Sequence, residues 1–244
     1  MSRLTGKTVL VTGGGSGIGL ATARALLEEG ARVAIAGRTE ARLREAAASL
    51  GGGDRLLARA ADVTDPAQAE ALVRAVAERF GPPDILVNNA GANVKERSLA
   101  ELTPESWRYL VAANLDGAFY CIRAALPEMR RRKEGLIINV NSVAGVRASP
   151  LGGPAYSAAK FGLHALALCV AAEERANGVR VSSIYPGEVN TLILEQRPEP
   201  VDEAKRRRIL QPEDVAAAVR FVATLPPHVC VPELVITPMV QAYL

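Results

Sequence analysis

Apolar residues recur along this chain in two alternating patterns. Short, largely continuous apolar runs stand at Thr8 to Thr12, Arg32 to Ala36, Leu56 to Ala60, Asp84 to Val87, Leu136 to Val140, Val179 to Ile184 and Leu234 to Ile236. Runs of that length are the mark of strands buried on both faces of a parallel sheet. Between them the apolar residues fall three and four apart, as in Leu20, Ala23, Leu26 and Leu27, which predicts helices. The remaining helices are predicted at about Glu40 to Leu50, Pro66 to Phe80, Pro104 to Lys133, Tyr156 to Asn177 and Pro212 to Leu225. Strictly alternating strands and helices predict an α/β fold, a doubly wound, Rossmann-like parallel sheet of about seven strands with helices on both faces.

The polar residues at the strand ends change the picture from a fold to a site. The first strand runs straight into Gly13 to Gly19 and then a helix stopped by Gly30. Glycines there let the backbone turn tightly and approach a pyrophosphate, held at the helix N-terminus, so this is the opening of a dinucleotide fold. Gly37 and Arg38 follow the second strand, Asp62 and Val63 the third, Asn88 to Gly91 the fourth, Ser142 the fifth, and Pro186 with Gly187 the sixth. Ligands of doubly wound sheets bind beyond these carboxyl ends, so one edge of the sheet collects nearly all the distinctive polar residues. No linker, composition shift or solenoid repeat divides the chain, and residues 1–244 read as one dinucleotide-binding catalytic domain. Its charged stretch from about 188 to 210, with two prolines, reads as a mobile substrate segment.

Composition narrows the class. Apolar residues make up 49% and charged residues 23%, which excludes a disordered chain, and a net charge of +3 implies neither nucleic acid nor an anionic membrane as partner. Cys121, Cys169 and Cys230 are odd in number and widely spaced, giving no disulfide framework and no metal pattern; they read as buried, inert thiols in a reducing compartment. No signal-peptide core precedes Gly13, and no apolar run approaches a membrane span, so the expectation is a cytoplasmic protein without a metal.

One candidate for chemistry lies inside a predicted helix. Tyr156 and Lys160 are four residues apart and so share a helical face, where a fixed positive charge favours the phenolate and draws its pKa down. In an arbitrary helix the same spacing is a core aromatic beside a solvated lysine. Here it arrives with Thr-Gly-x-x-x-Gly-x-Gly at Thr12 to Gly19, Asn-Asn-Ala-Gly at 88 to 91, Asn114 in the long helix, Ser142 ahead of the tyrosine, and Pro186-Gly187 with Thr191 four residues on.

Those motifs, in that order, resemble the compact single-domain branch of the short-chain dehydrogenase/reductase family. The resemblance implies a hydride transfer between nicotinamide and a secondary alcohol or carbonyl substrate. Carried over by position, Tyr156 is the acid/base, Ser142 orients the reacting oxygen, Lys160 holds the nicotinamide ribose and stabilises the phenolate, and Asn114 completes a water-mediated proton path. Cofactor contacts fall to Gly13, Gly15, Ser16, Gly17, Ile18 and Gly19, to Asp62 and Val63 beside adenine, and to Asn89, Ala90 and Gly91. Tyr156, Lys160, Pro186, Gly187, Val189 and Thr191 complete them at the nicotinamide end. Readers of NAD usually place an acid where Gly37 stands; its absence and the presence of Arg38 favour NADP(H) over NAD(H). The family also implies a homodimer or homotetramer, built on the small residues of the Tyr156 helix and on the Asn114 helix.

Two departures bear on the substrate. The stretch from Val143 to Ala155 is one residue longer than the commonest pattern. The C-terminus lacks Val-Asp-Gly-Gly and, with Gln211 to Val215 and Pro226 to Val229, is similar to members acting on serine-like 3-hydroxy acids. Residues 92 to 97, 143 to 154 and 188 to 210 are expected to wall the substrate pocket, with Leu192, Ile193 and Leu194 as an apolar lid. His164 reads as a core-edge residue, and the runs Arg130 to Lys133 and Lys205 to Arg208 as solvated faces. A 3-oxoacyl carrier-protein reductase and a non-catalytic nucleotide-binding scaffold are the alternatives.

Overall fold

In the computed structural model, which describes residues 2–241, the chain order is β1 (Thr8–Thr12), α1 (Gly17–Glu28), β2 (Arg32–Gly37), α2 (Glu40–Leu50), β3 (Leu56–Ala60) and α3 (Pro66–Phe80). There follow β4 (Ile85–Asn88), α4 (Pro104–Val111), α5 (Gly117–Arg132), β5 (Gly135–Val140), α6 (Pro154–Glu174), β6 (Val179–Pro186), α7 (Glu203–Arg206), α8 (Pro212–Ala223) and β7 (Glu233–Ile236). All seven strands form one parallel sheet in the order β3-β2-β1-β4-β5-β6-β7. The order reverses between β1 and β4, so the loops leaving those strands diverge and open a crevice at their carboxyl ends.

Successive side chains of the inner strands enter opposite layers. Val9 and Val11 pack among α1, α2 and α8, while Leu10 between them packs among α3 and α5. Leu136 and Ile138 divide from Ile137 in the same way. This two-sided burial explains the continuous apolar runs, each fully buried Leu or Ile contributing roughly 1.5–3 kcal/mol. Local signals set the helix starts. Asp65 caps α3 through Ala67 N and Gln68 N, and Thr103 caps α4 through Ser106 N, each followed by proline in the first turn.

Four expectations need correction. The helix predicted from Pro104 to Lys133 is interrupted by a π turn at Ala112–Asp116, which carries Asn114. Of the three thiols only Cys121 is buried, its pKa pushed up to about 12 by desolvation; Cys169 and Cys230 are exposed. The run Arg130 to Lys133 is a strap as well as a solvated face. Arg130 holds the buried Glu174, Arg132 reaches Asp84 at 3.1 Å, and Lys133 reaches Asn177 at 2.8 Å. Finally, α6 with its terminal turn, Pro154–Asn177, is long and apolar enough to cross a membrane by length and composition alone, although it packs against the sheet and carries buried Lys160.

Candidate active site

The crevice is a cleft of about 680 Å³. Its floor is the turn after β1. Gly13 has φ +66, and a Cβ there would lie 2.9 Å from Asn89 Nδ2; a Cβ on Gly19 would lie 2.3 Å from the Gly13 carbonyl. Side chains are therefore excluded where α1 must press against the turn. Asn89 braces it by donating to the carbonyls of Thr12 at 3.0 Å and Gly13 at 3.2 Å, while Thr12 Oγ1 accepts from Asn89 N and Ala90 N. Ser16, at the N-cap of α1, makes no side-chain cap, and no acid stands in the first turn. With Gly15, Gly17 and Ile18 also lining the cleft, the open N–H groups of α1 suit a pyrophosphate.

On the β2 side, Arg38 lines the cleft and rests on Tyr109, its guanidinium 5.9 Å from the ring centre and 3.4 Å from the hydroxyl. Arg42, from the first turns of α2, joins it there, a second cation the sequence reading missed. Asp62 turns its carboxylate into its own loop, accepting from Thr64 N at 3.0 Å and Thr64 Oγ1 at 2.8 Å. Val63 packs against Gly117 at the start of α5. Asp62 and Val63 both line the cleft.

On the β5 side, Ser142 ends the strand and its Oγ accepts from Ala144 N at 3.1 Å. Tyr156 stands in the first turn of α6, where Ser142 is the side chain that favours its ionised form most. Lys160, one turn further, is buried, donates to the Val140 carbonyl at 3.1 Å, and stands 5.7 Å from the Tyr156 ring centre. Burial lowers the Lys160 pKa to about 8. The expected depression of the tyrosine is overturned in this geometry: desolvation raises Tyr156, and Ser142 and Arg97, rather than Lys160, are the groups that pull it back. Spacing brings phenol and lysine together, but depth in the crevice decides the sign.

Asn114 is held by the π turn so that its amide donates to the carbonyls of Ala92 at 2.9 Å and Leu110 at 2.8 Å and accepts from Ala92 N at 3.2 Å. A π turn at such a point re-aims one side chain. A Cβ on Gly91 would stand 2.8 Å from Asn114 Oδ1 and 3.8 Å from Lys160 Nζ, so amide and ammonium face one small volume.

The segment after β6 closes the cleft. Thr191 reaches over the glycine turn, 3.1 Å from where a Gly17 Cβ would stand. Leu192–Gln196 form a 3-10 turn that lines the cavity, with Leu194 buried and Leu192 and Ile193 half exposed. Val189 is buried and bridges to Leu210. Gln241, near the C-terminus, accepts from Glu188 N at 2.7 Å and braces Gly187, a contact no local motif announces. Residues of all three expected loops wall the cavity, though nothing from 198 to 210 does. His164 lies outside those walls, hydrogen-bonded to the Tyr185 hydroxyl. Ala242 to Leu244 lie outside the described residues.

Residues 7–202 match the family model of the short chain dehydrogenases. An uncharacterized oxidoreductase of Staphylococcus aureus (strain USA300) is 35% identical over 98% of this chain and all of its own length. A serine dehydrogenase in its closed form, complexed with NADP+, is 34% identical with a TM-score of 0.88, covering 97% of this chain and 96% of that one. An alcohol dehydrogenase from the archaeon Thermococcus sibiricus, complexed with 5-hydroxy-NADP, is 31% identical with a TM-score of 0.86, covering 97% and 98%. A match of this extent in both sequence and fold places the chain in the short-chain dehydrogenase/reductase family, as an NAD(P)-dependent oxidoreductase.

Proposed function

We propose that this protein interconverts a secondary alcohol and its carbonyl compound with NADP(H), using Tyr156 as the acid/base. The observation that carries the reading is the convergence of Ser142, Tyr156 and Lys160 on the β5 side of a cleft whose β2 side carries Arg38 and Arg42. When bound, the nicotinamide supplies or accepts the hydride. In reduction the Tyr156 hydroxyl gives its proton to the carbonyl oxygen; in oxidation the phenolate takes it back. Ser142 Oγ, fixed by Ala144 N, orients that oxygen. Lys160 would hold the nicotinamide ribose, and Asn114 would complete the proton path beside Gly91. Gly13 to Gly19 would take the pyrophosphate and Asn89 to Gly91, Pro186, Gly187, Val189 and Thr191 the nicotinamide half.

Arg38 and Arg42 support NADP(H), because Gly37 at the end of β2 brings no carboxylate to repel a 2'-phosphate. Residues 1–244 act as one catalytic unit in this reading, and of the expected substrate segment 188–210 the part from Glu188 to Arg197 faces the cleft. The carrier-protein alternative draws no separate support from the run Arg130 to Lys133, whose four side chains each have a partner within the chain.

The test is reduction of a panel of ketones and aldehydes by the purified protein with NADPH and NADH compared. Wild type is expected to oxidise NADPH in preference to NADH. Tyr156→Phe should lose about 10²–10⁴-fold in kcat while binding NADPH within a few-fold of wild type. Full activity in Tyr156→Phe would reject the mechanism, and tight cofactor binding without turnover on the whole panel would favour a scaffold.

A further inference from the structure

Among the described residues three charged side chains are buried: Lys160, Glu174 and Arg97. Lys160 belongs to the site, and Glu174 is answered by Arg130. Arg97, at 6% exposure, lines the cleft and has no such answer. Its Nε donates to the Val94 carbonyl at 2.8 Å, one terminal nitrogen to Leu151 at 2.9 Å, and the other to the Gln196 carbonyl. Those carbonyls belong to the three loops that wall the cleft after β4, between β5 and α6, and after β6. The Arg97 main chain also stands against Gly153 at the head of α6, 2.8 Å from where a Cβ would be.

Among the described residues no carboxylate lies within ion-pairing distance of this guanidinium. The charged groups acting on it are Arg197, a second cation, and the Tyr156 phenol. Arg197 is tied to Glu188 at 3.0 Å, and Glu188 is shared with Lys205 at 3.0 Å. Arg197 and Lys205 thus share one carboxylate, and Arg97 is left with none.

A strut between loops needs donors, which a neutral amide supplies without the desolvation penalty of a buried charge. A guanidinium also has five N–H groups, of which three are used here; one remains on each terminal nitrogen, the pair that two carboxylate oxygens match. We propose that Arg97, seconded by Arg197, is the recognition site for an acidic group, so that the compound reduced at Tyr156 carries a carboxylate. This rests on the oxidoreductase reading above and adds the substrate's charge to it. Arg97 also draws the Tyr156 phenol towards ionisation, so substrate anion and acid/base share one electrostatic environment.

The experiment measures kcat/KM with NADPH on small keto acids, each paired with its methyl ester. Wild type is expected to prefer the acid at least tenfold. Arg97→Met should lower the acid-to-ester ratio at least 20-fold, with Arg97→Lys keeping part of the preference. Esters preferred in every pair, or both rates falling together at an unchanged ratio in Arg97→Met, would overturn the anion site and leave Arg97 a loop strut. Should that variant not fold, the wild type decides. Propionate and butyrate should inhibit ester reduction competitively where their amides do not, and equal inhibition by acid and amide would sink the proposal. Turnover of esters without acid preference removes this inference alone. No NADPH oxidation with any carbonyl compound removes the oxidoreductase reading and this inference with it.

Discussion

Lys160 and Tyr156 stand one helical turn apart, and burial acts on both towards neutrality. For the lysine the consequence can be worked out. Its pKa falls from 10.5 to about 8, so between those values the unfolded chain binds a proton that the folded chain has lost, and stability rises with pH across that window. The shift corresponds to roughly 3.5 kcal/mol at most, by about 1.4 kcal/mol per pH unit. Lys160→Met, which buries no charge, should therefore melt higher than wild type at pH 7, with the difference closing by pH 10; a difference independent of pH would mean the ammonium is already well solvated. The four-residue spacing was enough to expect the pair. It was not enough to give the sign of their influence, because that depends on the depth set by β5 and the loops that close over the cleft, which helical spacing does not report.

At the scale of elements, what the sequence discloses is what is local. Strand ends, caps and the glycine turn carry their own signals, and their positions agree with the structure to within a residue or two. The π turn at Ala112–Asp116 is silent, since apolar periodicity runs through Pro104 to Lys133 unbroken and the turn is shaped by a distant partner, the Ala92 backbone. Arg97, Arg42 and Gln241 are equally silent, each acting on a segment brought near by the sheet. The strap at the end of α5 is the same kind of case. Arg130 Nε donates to Glu174 Oε2 at 2.8 Å, and Asn177 adds a donor at 3.0 Å, so the ends of α5 and α6 are joined through a carboxylate held below its usual pKa, first by Arg130. A carboxyl depressed in this way contributes stability above its ordinary pKa of about 4.5, and that contribution is lost as pH falls through the folded value. Arg130→Met should lower Tm by several degrees at pH 7 and much less once the pH is low enough to protonate Glu174 in the folded chain. An equal deficit under both conditions would assign Arg130 to packing.

Over the whole molecule, the strand order gathers the site and also leaves one face of α6 without cover. Ala158, Phe161, Ala165, Leu168 and Ala172 are exposed, spaced three and four apart, with no charge among them. That stripe is what makes α6 pass for a membrane span, and Phe119 of α5 is exposed at 42%. A soluble surface rarely leaves such a continuous apolar stripe to water, whereas a two-fold axis covers it with its own copy. The small residues alternating with Phe161 and Leu168 let two helices approach closely, so the stripe fits a homo-oligomer better than a lipid face, which would be large and apolar throughout. Phe161→Glu with Leu168→Glu places like charges across that axis and should reduce the particle to monomer mass in light scattering, without the protein partitioning into vesicles before or after the change. Because both side chains point away from the cleft, NADPH affinity measured on the monomer then tells whether the site is complete in one chain. A wild type already monomeric at micromolar concentration would remove the assembly, and vesicle binding abolished by the two glutamates would reassign the stripe to a membrane.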